Sequence, residues 1–372
     1  MTGLEVITVD PKADSLQWQR LADRALEPNP FFAPAFLRAY LTHMERRPVA
    51  IAAVRDRGND HLLALAPFGR RRIGLVWPAT VAWATAYGPL GTPLVAPEAT
   101  AATLDLLFRY VVGPAGLVLL PYLRTDGPVH DLIQDLHDTN GWRLAMARPQ
   151  MRAGHVAAPT GQEQYDRIGG SRRKEIERQL RRLAELGTVA FASLGDVDAT
   201  EIAGAFEDFL HLEARGWKGS KGSALAADPR RAAFARAFIA TAAARGQVRI
   251  DRLTLDGRPI AMLVLLRDGH RILSWKIAFD EEFGRFSPGA QITRYAMRRN
   301  LADPEFTDAD SLAVPDHPMI TPLWRGKVPY ATALLGRGAI ASLSIGAARL
   351  DLSAEHRLRR GVKAALRRGR YR

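Results

Sequence analysis

The residues from Gln247 to Asn300 constrain the fold more than any other stretch. Three strand-like runs are joined by Asp-Gly turns, and a Ser-Pro-Gly turn then opens a helix. Gln247–Leu255 alternates, with Val248 and Ile250 on one side and Leu253 and Leu255 on the other, which leaves room for a bulge. Pro259–Leu266 is a nearly continuous apolar run, as in a strand buried on both faces, and Arg271–Phe279 follows Asp268-Gly269. Asp-Gly between hydrophobic runs is a strong short-range hairpin signal. The stretch therefore reads as an antiparallel meander and not as a βαβ unit.

The next segment is Asp280 to Ala290, then a helix over Gln291–Asn300 with Ile292, Tyr295 and Ala296 at helical spacing. A small-residue turn entering a helix leaves its first N–H groups unpaired, and the helix dipole draws anions to that end. Gly289 permits close backbone approach, while Pro288 fixes the turn and removes one donor. The competing reading is an ordinary strand-to-helix loop capped by Ser287.

With 372 residues, 47% of them hydrophobic, the chain has material for two domains with filled cores. It contains no cysteine, so disulfides, thiolate catalysis and cysteine-based metal sites are excluded. The histidines lack metal-ligand spacing, and no metal site is expected. Apolar runs stay short of a transmembrane helix and the N-terminus lacks a signal-peptide pattern, so a soluble, cytoplasmic protein is expected. The formal charge is +13, but eight Arg or Lys and no acids lie between Arg357 and Arg372, leaving +5 for the rest. Such a tail is either a solvated solubility segment or a contact for anionic lipid, acidic polymer or nucleic acid.

Both halves follow one coarse plan of helices, an antiparallel meander and a further helix. In the first, Leu4–Val9 reads as a strand and Pro34–Glu45 as a helix; Pro48–Val54 and Leu62–Phe68 pair across Gly58-Asn59. A helix over Glu98–Val111, a strand over Gly116–Leu120, a helix near Val129–His137 and a strand near Trp142–Arg148 follow. Pro159–Gly170 reads as the boundary. The expected domains are 1–160 and 161–345, with a basic tail over 346–372.

The second half opens on a helix, Ser171–Leu186, with Ser171 as N-cap. Ile176, Leu180 and Leu183 form its apolar stripe, and Arg172, Arg173, Lys174, Arg178, Arg181 and Arg182 lie elsewhere. Those cations are either a solvated face or face an anionic ligand. Ser171-Arg-Arg-Lys174 has Ser-x-x-Lys spacing without its partner motifs, and Gly216 to Gly222 lacks Walker spacing and a preceding strand. The stretch Phe209–Leu225 puts Glu213 near the end of an apolar helix, with Trp217 and Lys218 in a loop beyond it. Glu213 is either a carboxylate that accepts a proton from an amine or one side of an ion pair; Trp217 can wall a pocket.

Taken in order, SRRKEIERQLRRL at 171–183, LEARGWKGSKGSAL at 212–225, FDEEFGRFSPGAQI at 279–292 and DADSLAVPDHPMITPLW at 308–324 resemble the GNAT acyltransferase superfamily. The likeness is to its CelD-like and Fem-like branch of two tandem GNAT domains. It covers most of 160–330, with a looser match through NPFF at 29–32 and YGPLGTPLV at 87–95. The resemblance implies an α/β fold of the α+β type: two tandem GNAT-like domains, each a mixed, largely antiparallel sheet flanked by helices. It also implies an N-acyltransferase that moves an acyl group from acyl-CoA, usually acetyl-CoA, to an amine, possible acceptors being cell-envelope or polysaccharide precursors. The donor's pyrophosphate would sit on Arg285, Phe286, Ser287, Gly289, Ala290 and Gln291. Pro288 stands where the superfamily pattern has its first glycine. Fem-like relatives use aminoacyl-tRNA, which makes tRNA the alternative donor, and a non-catalytic module of the same fold is a third reading.

Amine acylation requires a base and stabilisation of an oxyanion. Glu213, Asp280 and His317 are the catalytic candidates, with Asp310 a further carboxylate. Trp217, Lys218, Lys276 and Asp316 are the candidates for binding substrate. Asp316-His317 is either a base pair of residues or the cap of a helix over Pro318–Trp324. Lys276, mid-strand, either meets a carboxylate or phosphate or faces outward.

Overall fold

A computed structural model describes residues 3–13, 16–113, 116–139, 141–157 and 161–369. The first elements are β1 (Leu4–Val9), α1 (Leu16–Arg24), α2 (Pro34–His43), β2 (Ala50–Asp56), β3 (His61–Ile73), β4 (Trp77–Ala82) and β5 (Leu94–Val95). Then come α3 (Ala101–Val111), β6 (Leu117–Arg124), α4 (Pro128–Thr139), β7 (Trp142–Val156), α5 (Gly161–Asp166), α6 (Gly170–Ala184) and β8 (Val189–Leu194). The chain continues through α7 (Ala199–Arg215), α8 (Trp217–Ser220), α9 (Pro229–Ala243), β9 (Val248–Leu255), β10 (Arg258–Asp268) and β11 (Arg271–Phe279). It ends with α10 (Pro288–Leu301), β12 (Asp308–Asp310), β13 (Gly326–Arg337) and α11 (Ala341–Gly369).

Two compact units form. One holds Met1–Phe32, Arg47–Pro149 and Tyr330–Arg372; the other holds Ala33–Arg46 and Gln150–Pro329. The expected division at 160 and 345 is contiguous, whereas each of these units draws on separate stretches of the chain. Each unit is a mixed sheet flanked by helices, and the two share one connectivity. In the first unit β1, β2, β3 and β4 pair antiparallel in order, α3 crosses over, and β6 runs parallel to β4. In the second, β8, β9, β10 and β11 pair antiparallel, α10 crosses over, and β12 runs parallel to β11. Each takes its last strand from the other half of the sequence. Residues of β13 pair antiparallel with β6 (Tyr330 opposite Arg124), and residues of β7 pair antiparallel with β12 (Asp308 opposite Val156).

In the first unit the motifs at 29–32 and 87–95 pack together. Asn29 donates from Nδ2 to the Thr92 carbonyl at 2.7 Å, and a Cβ on Gly88 would lie 2.8 Å from that of Phe31. The basic tail does not begin as a free segment. Ala341, Ile345, Ala348 and Leu352 of α11 are buried in a cluster with Val81, Leu119 and Leu334.

In the second unit the meander forms as read. Asp256 and Gly257 both have positive φ (50° and 79°), as the two central positions of a type I′ hairpin turn demand. The irregularity expected in β9 is real, but the extra residue is Ile260 on β10, opposite Leu253 and Thr254. Ile176 and Leu183 of α6 and Ile292 and Ala296 of α10 share a core with Ala261, Leu263 and Leu265. A second layer joins α2 and α9 to the strands: Phe36 meets Phe234 and Phe238 edge-on at 5.3 and 5.1 Å, and Phe238 meets Trp275 at 5.2 Å.

Two local expectations fail. The cap of α6 is Gly169, not Ser171. Residues 318–323 form successive turns instead of a helix; Asp316 (φ 55°) is exposed and caps nothing among the described residues. Pro159 lies outside the described residues. Among those residues, no helix is long and apolar enough to cross a membrane.

Candidate active site

Strands β11 and β12 are paired over only three residues, Arg271–Leu273 against Asp308–Asp310. From Ser274 to Phe279, β11 is held by β10 alone, with a bulge at Trp275 that adds twist where β12 departs. The chain after β12 is turned away by Leu312, whose φ is 51° and whose N–H donates to Asp310 Oδ1 at 2.9 Å. The divergence opens a cleft of about 690 Å³. Its walls are β11, the start of α10, the end of α7 with α8, residues 311–313 and the turn at 317–320.

The opening of α10 forms one rim. Ser287 is left-handed (φ 51°) and gives no side-chain cap. The anion nest expected there is smaller than the sequence implies. Ser287 N–H donates to Gly284, and Ala290 and Gln291 N–H both donate to the Ser287 carbonyl; Pro288 has no N–H. Only Gly289 N–H, among those described, finds no protein acceptor. Tight 3₁₀ geometry just before the helix consumes the others. A Cβ on Gly289 would lie 2.8 Å from Met319 Sδ and 3.1 Å from Phe279 Cδ1, so glycine keeps this wall thin.

The cleft gathers three cations, Arg172, Lys218 and Lys276, against one carboxylate, Glu213. Glu213 is buried, accepting from Lys218 Nζ at 2.9 Å and from Leu225 N–H at 2.8 Å. Lys218 also donates to the Ile277 carbonyl at 2.7 Å, on the stretch of β11 that lacks a β12 partner. Lys276 is half-buried. Burial above all lowers its ammonium from 10.5 to about 8, opposed by the attraction of Glu213 and aided by Lys218 and Arg231. His317, half-buried, has its imidazolium disfavoured by burial, and Nδ1 accepts from Met319 N–H at 3.3 Å. That bond puts the ring proton of the neutral form on Nε2. Arg172, in the first turn of α6, makes no hydrogen bond or ion pair among the described residues, and its Nε is buried without a partner. Its neighbours differ: Arg173 pairs with Asp166 and Arg178 with Glu175.

Of the residues singled out in the sequence, Glu213, Trp217, Lys218, Lys276, Ser287, Gly289, Ala290 and His317 line the cleft. Trp217 and Lys218 sit in the one-turn helix α8, not in a loop. Asp280 does not line it: it pairs with Arg258 and caps the 3₁₀ turn through Glu282 N–H. Asp310 is buried against Arg152, and Asp316 points to solvent. Arg285 is exposed, Phe286 is buried in the core, and Gln291 is fully buried. Gln291 instead donates to the Ile176 carbonyl at 2.7 Å, which fixes α6 beside α10, and Arg172 of α6 lines the same cleft as Ser287. Ser274, Thr293 and Ser311, which also line the cleft, carry no sequence signal.

Residues 170–315 match the family model described as acetyltransferase (GNAT) domain. This segment is a GNAT domain. It carries every cleft residue from Arg172 to Ala313. No curated protein matches the chain in sequence. Among solved structures, the chain is similar to the C-terminal domain of a provisionally named lysylphosphatidylglycerol synthetase from Agrobacterium fabrum. That pair has 13% identity and a TM-score of 0.55 over 88% of this chain and 93% of the other. It is also similar to FemX, with 10% identity and a TM-score of 0.55 over 89% and 96% of the two chains. A conserved protein of unknown function from Bacteroides thetaiotaomicron follows at 10% identity and 0.52, over 86% and 95%. At these identities the likeness is one of fold.

Proposed function

We propose that the GNAT domain is an N-acyltransferase that takes its acyl group from an acyl-CoA, acetyl-CoA in the simplest case, and passes it to an amine. The observation that carries this reading is the cleft where β11 parts from β12. A strand edge without a partner strand offers N–H and C=O groups, apart from the Ile277 carbonyl that Lys218 holds, to an extended, amide-containing arm, as in the addition of a peptide to a sheet. The same cleft is lined by Gly289 at the N-terminus of α10 and by Arg172, whose Nε is buried without a partner, a combination suited to a diphosphate. This assigns the anion chiefly to Arg172, with the α10 turn as a thin wall and single donor.

In the reaction the acceptor's neutral amine attacks the thioester carbonyl, and the C=O electron pair moves to oxygen. His317 Nε2–H is the donor for that oxyanion. The new ammonium in the tetrahedral adduct is acidic and gives its proton to neutral Lys276. Collapse of the adduct breaks the C–S bond, and the thiolate takes the proton back from Lys276. An ammonium at about 8 suits both transfers, being close to an ordinary thiol near 8.5. Glu213 has both oxygens engaged, so its role is to hold Lys218 and the α8 turn, not to abstract a proton. Trp217 walls the acceptor side.

The test is thiol release from acetyl-CoA and longer acyl-CoAs in the presence of amine mixtures, with products weighed by mass spectrometry. Free thiol with an acylated amine is expected, and Lys276→Arg should abolish it. Absence of release with every acyl-CoA, together with transfer from aminoacyl-tRNA, would replace this donor with the other.

A further inference from the structure

Helix α11 carries two apolar stripes, and only one of them is used inside the protein. Ala341, Ile345, Ala348 and Leu352 are buried. On the opposite side Leu343, Ala347, Leu350, Ala354 and Leu358 recur at spacings of three and four residues, which places them on one face. Leu343 is 74% exposed, Leu350 70% and Leu358 58%, and Ile340 just before the helix is 62% exposed. Isolated exposed leucines need no explanation, but a continuous outward stripe over four turns does.

The charges beside this stripe have one sign. The two carboxylates of the helix are drawn inward: Asp351 Oδ2 accepts from Leu75, Val76 and Trp77 N–H at 3.0 Å, and Glu355 pairs with Arg148 at 2.6 Å. Arg349 and Arg357 are exposed with no ion pair among the described residues. From Arg357 to Arg372 the sequence adds eight basic residues and no acid. The Asp351 bonds also fix the turn after β3, whose Leu75 and Val76 are 48% and 64% exposed, at the flank of the helix.

We propose that this face of α11 is a membrane-surface site for anionic phospholipid, the stripe from Leu343 to Leu358 entering the headgroup region and the arginines meeting lipid phosphates. The helix lies on the bilayer and does not cross it, in keeping with an amphipathic rather than uniformly apolar composition. A nucleic-acid contact would use the same cations but has no need of the leucines, and that difference favours lipid.

Sedimentation of the full-length protein with vesicles tests this. The protein should pellet with vesicles of equal parts phosphatidylcholine and phosphatidylglycerol, lose association as salt rises, and stay in solution with phosphatidylcholine alone. Leu343→Gln/Leu350→Gln, at solvent-facing positions, should keep the melting temperature and weaken vesicle binding by roughly tenfold or more. Equal binding by that variant, no binding by the unaltered protein, or retention of total tRNA with no vesicle binding would each overturn the proposal. So would a wild-type dimer that the variant turns into monomer while vesicles bind neither. None of these outcomes bears on thiol release, so the two proposals fail separately.

Discussion

Lys276→Met should stabilise the protein at neutral pH, and the advantage should fade as the solution becomes alkaline. Methionine keeps an unbranched stem of similar length and removes the ammonium. In the folded protein burial holds that ammonium at about 8 against an ordinary 10.5. Unfolding restores the ordinary value, so the unfolded chain binds this proton more tightly. Below about 8 both states are protonated and the folded state bears the whole cost, at most about 3 kcal/mol. Between about 8 and 10.5 the folded state loses its proton first, so stability rises with pH across that window and the cost is gone above it. Because the side chain keeps some exposure, the expected gain near pH 7 is about 1–3 kcal/mol, shrinking toward zero as pH passes 10. Urea unfolding of both proteins across that range measures the difference. A gain that does not change with pH, or a loss at neutral pH, would refute a lysine perturbed by burial and remove it as the proton carrier.

Other expectations follow from the same geometry. Gly289→Ala should cost about 1 kcal/mol or less, because Met319 can move, yet weaken donor binding by about tenfold as the wall thickens; calorimetry reads both. Glu213→Ala removes the counter-charge of Lys218, which keeps only the Ile277 carbonyl, and strands the Leu225 amide, with a loss of about 3 kcal/mol in urea unfolding; a loss below about 1 kcal/mol would contradict the buried pair. Asp280→Asn removes a carboxylate outside the cleft and should leave kcat/KM within about threefold of wild type. A large fall in kcat with the fold intact would return Asp280 to the chemistry.

The meander was legible because its signals are local. Period-two runs and the two Asp-Gly turns specify strands and their order without knowledge of the rest of the chain. Pairing that is remote in sequence was not legible. Nothing in residues 34–43 says that Phe36 packs against Phe234, or in 150–156 that these residues border β12. Site residues divide the same way. Glu213, Lys218 and Lys276 were visible as residue types on defined elements, but their mutual distances depend on where α7 meets β11. Gln291 misled because spacing marks where a helix starts and not which side of its first turn faces inward. The Ser287 turn misled because counting open amides requires knowing that 281–286 winds into a 3₁₀ helix. Arg172 stood among six basic residues of one helix, and only packing through Gln291 separates it from the others.

The most direct test of the acyl-donor cleft is calorimetric titration of coenzyme A into wild-type protein and Arg172→Ala. The account predicts saturable binding by wild type with a Kd on the order of micromolar to tens of micromolar, and a loss of tenfold or more, about 1.4 kcal/mol, in the variant. Equal affinity in the two proteins, or no binding to wild type at millimolar coenzyme A, would contradict it.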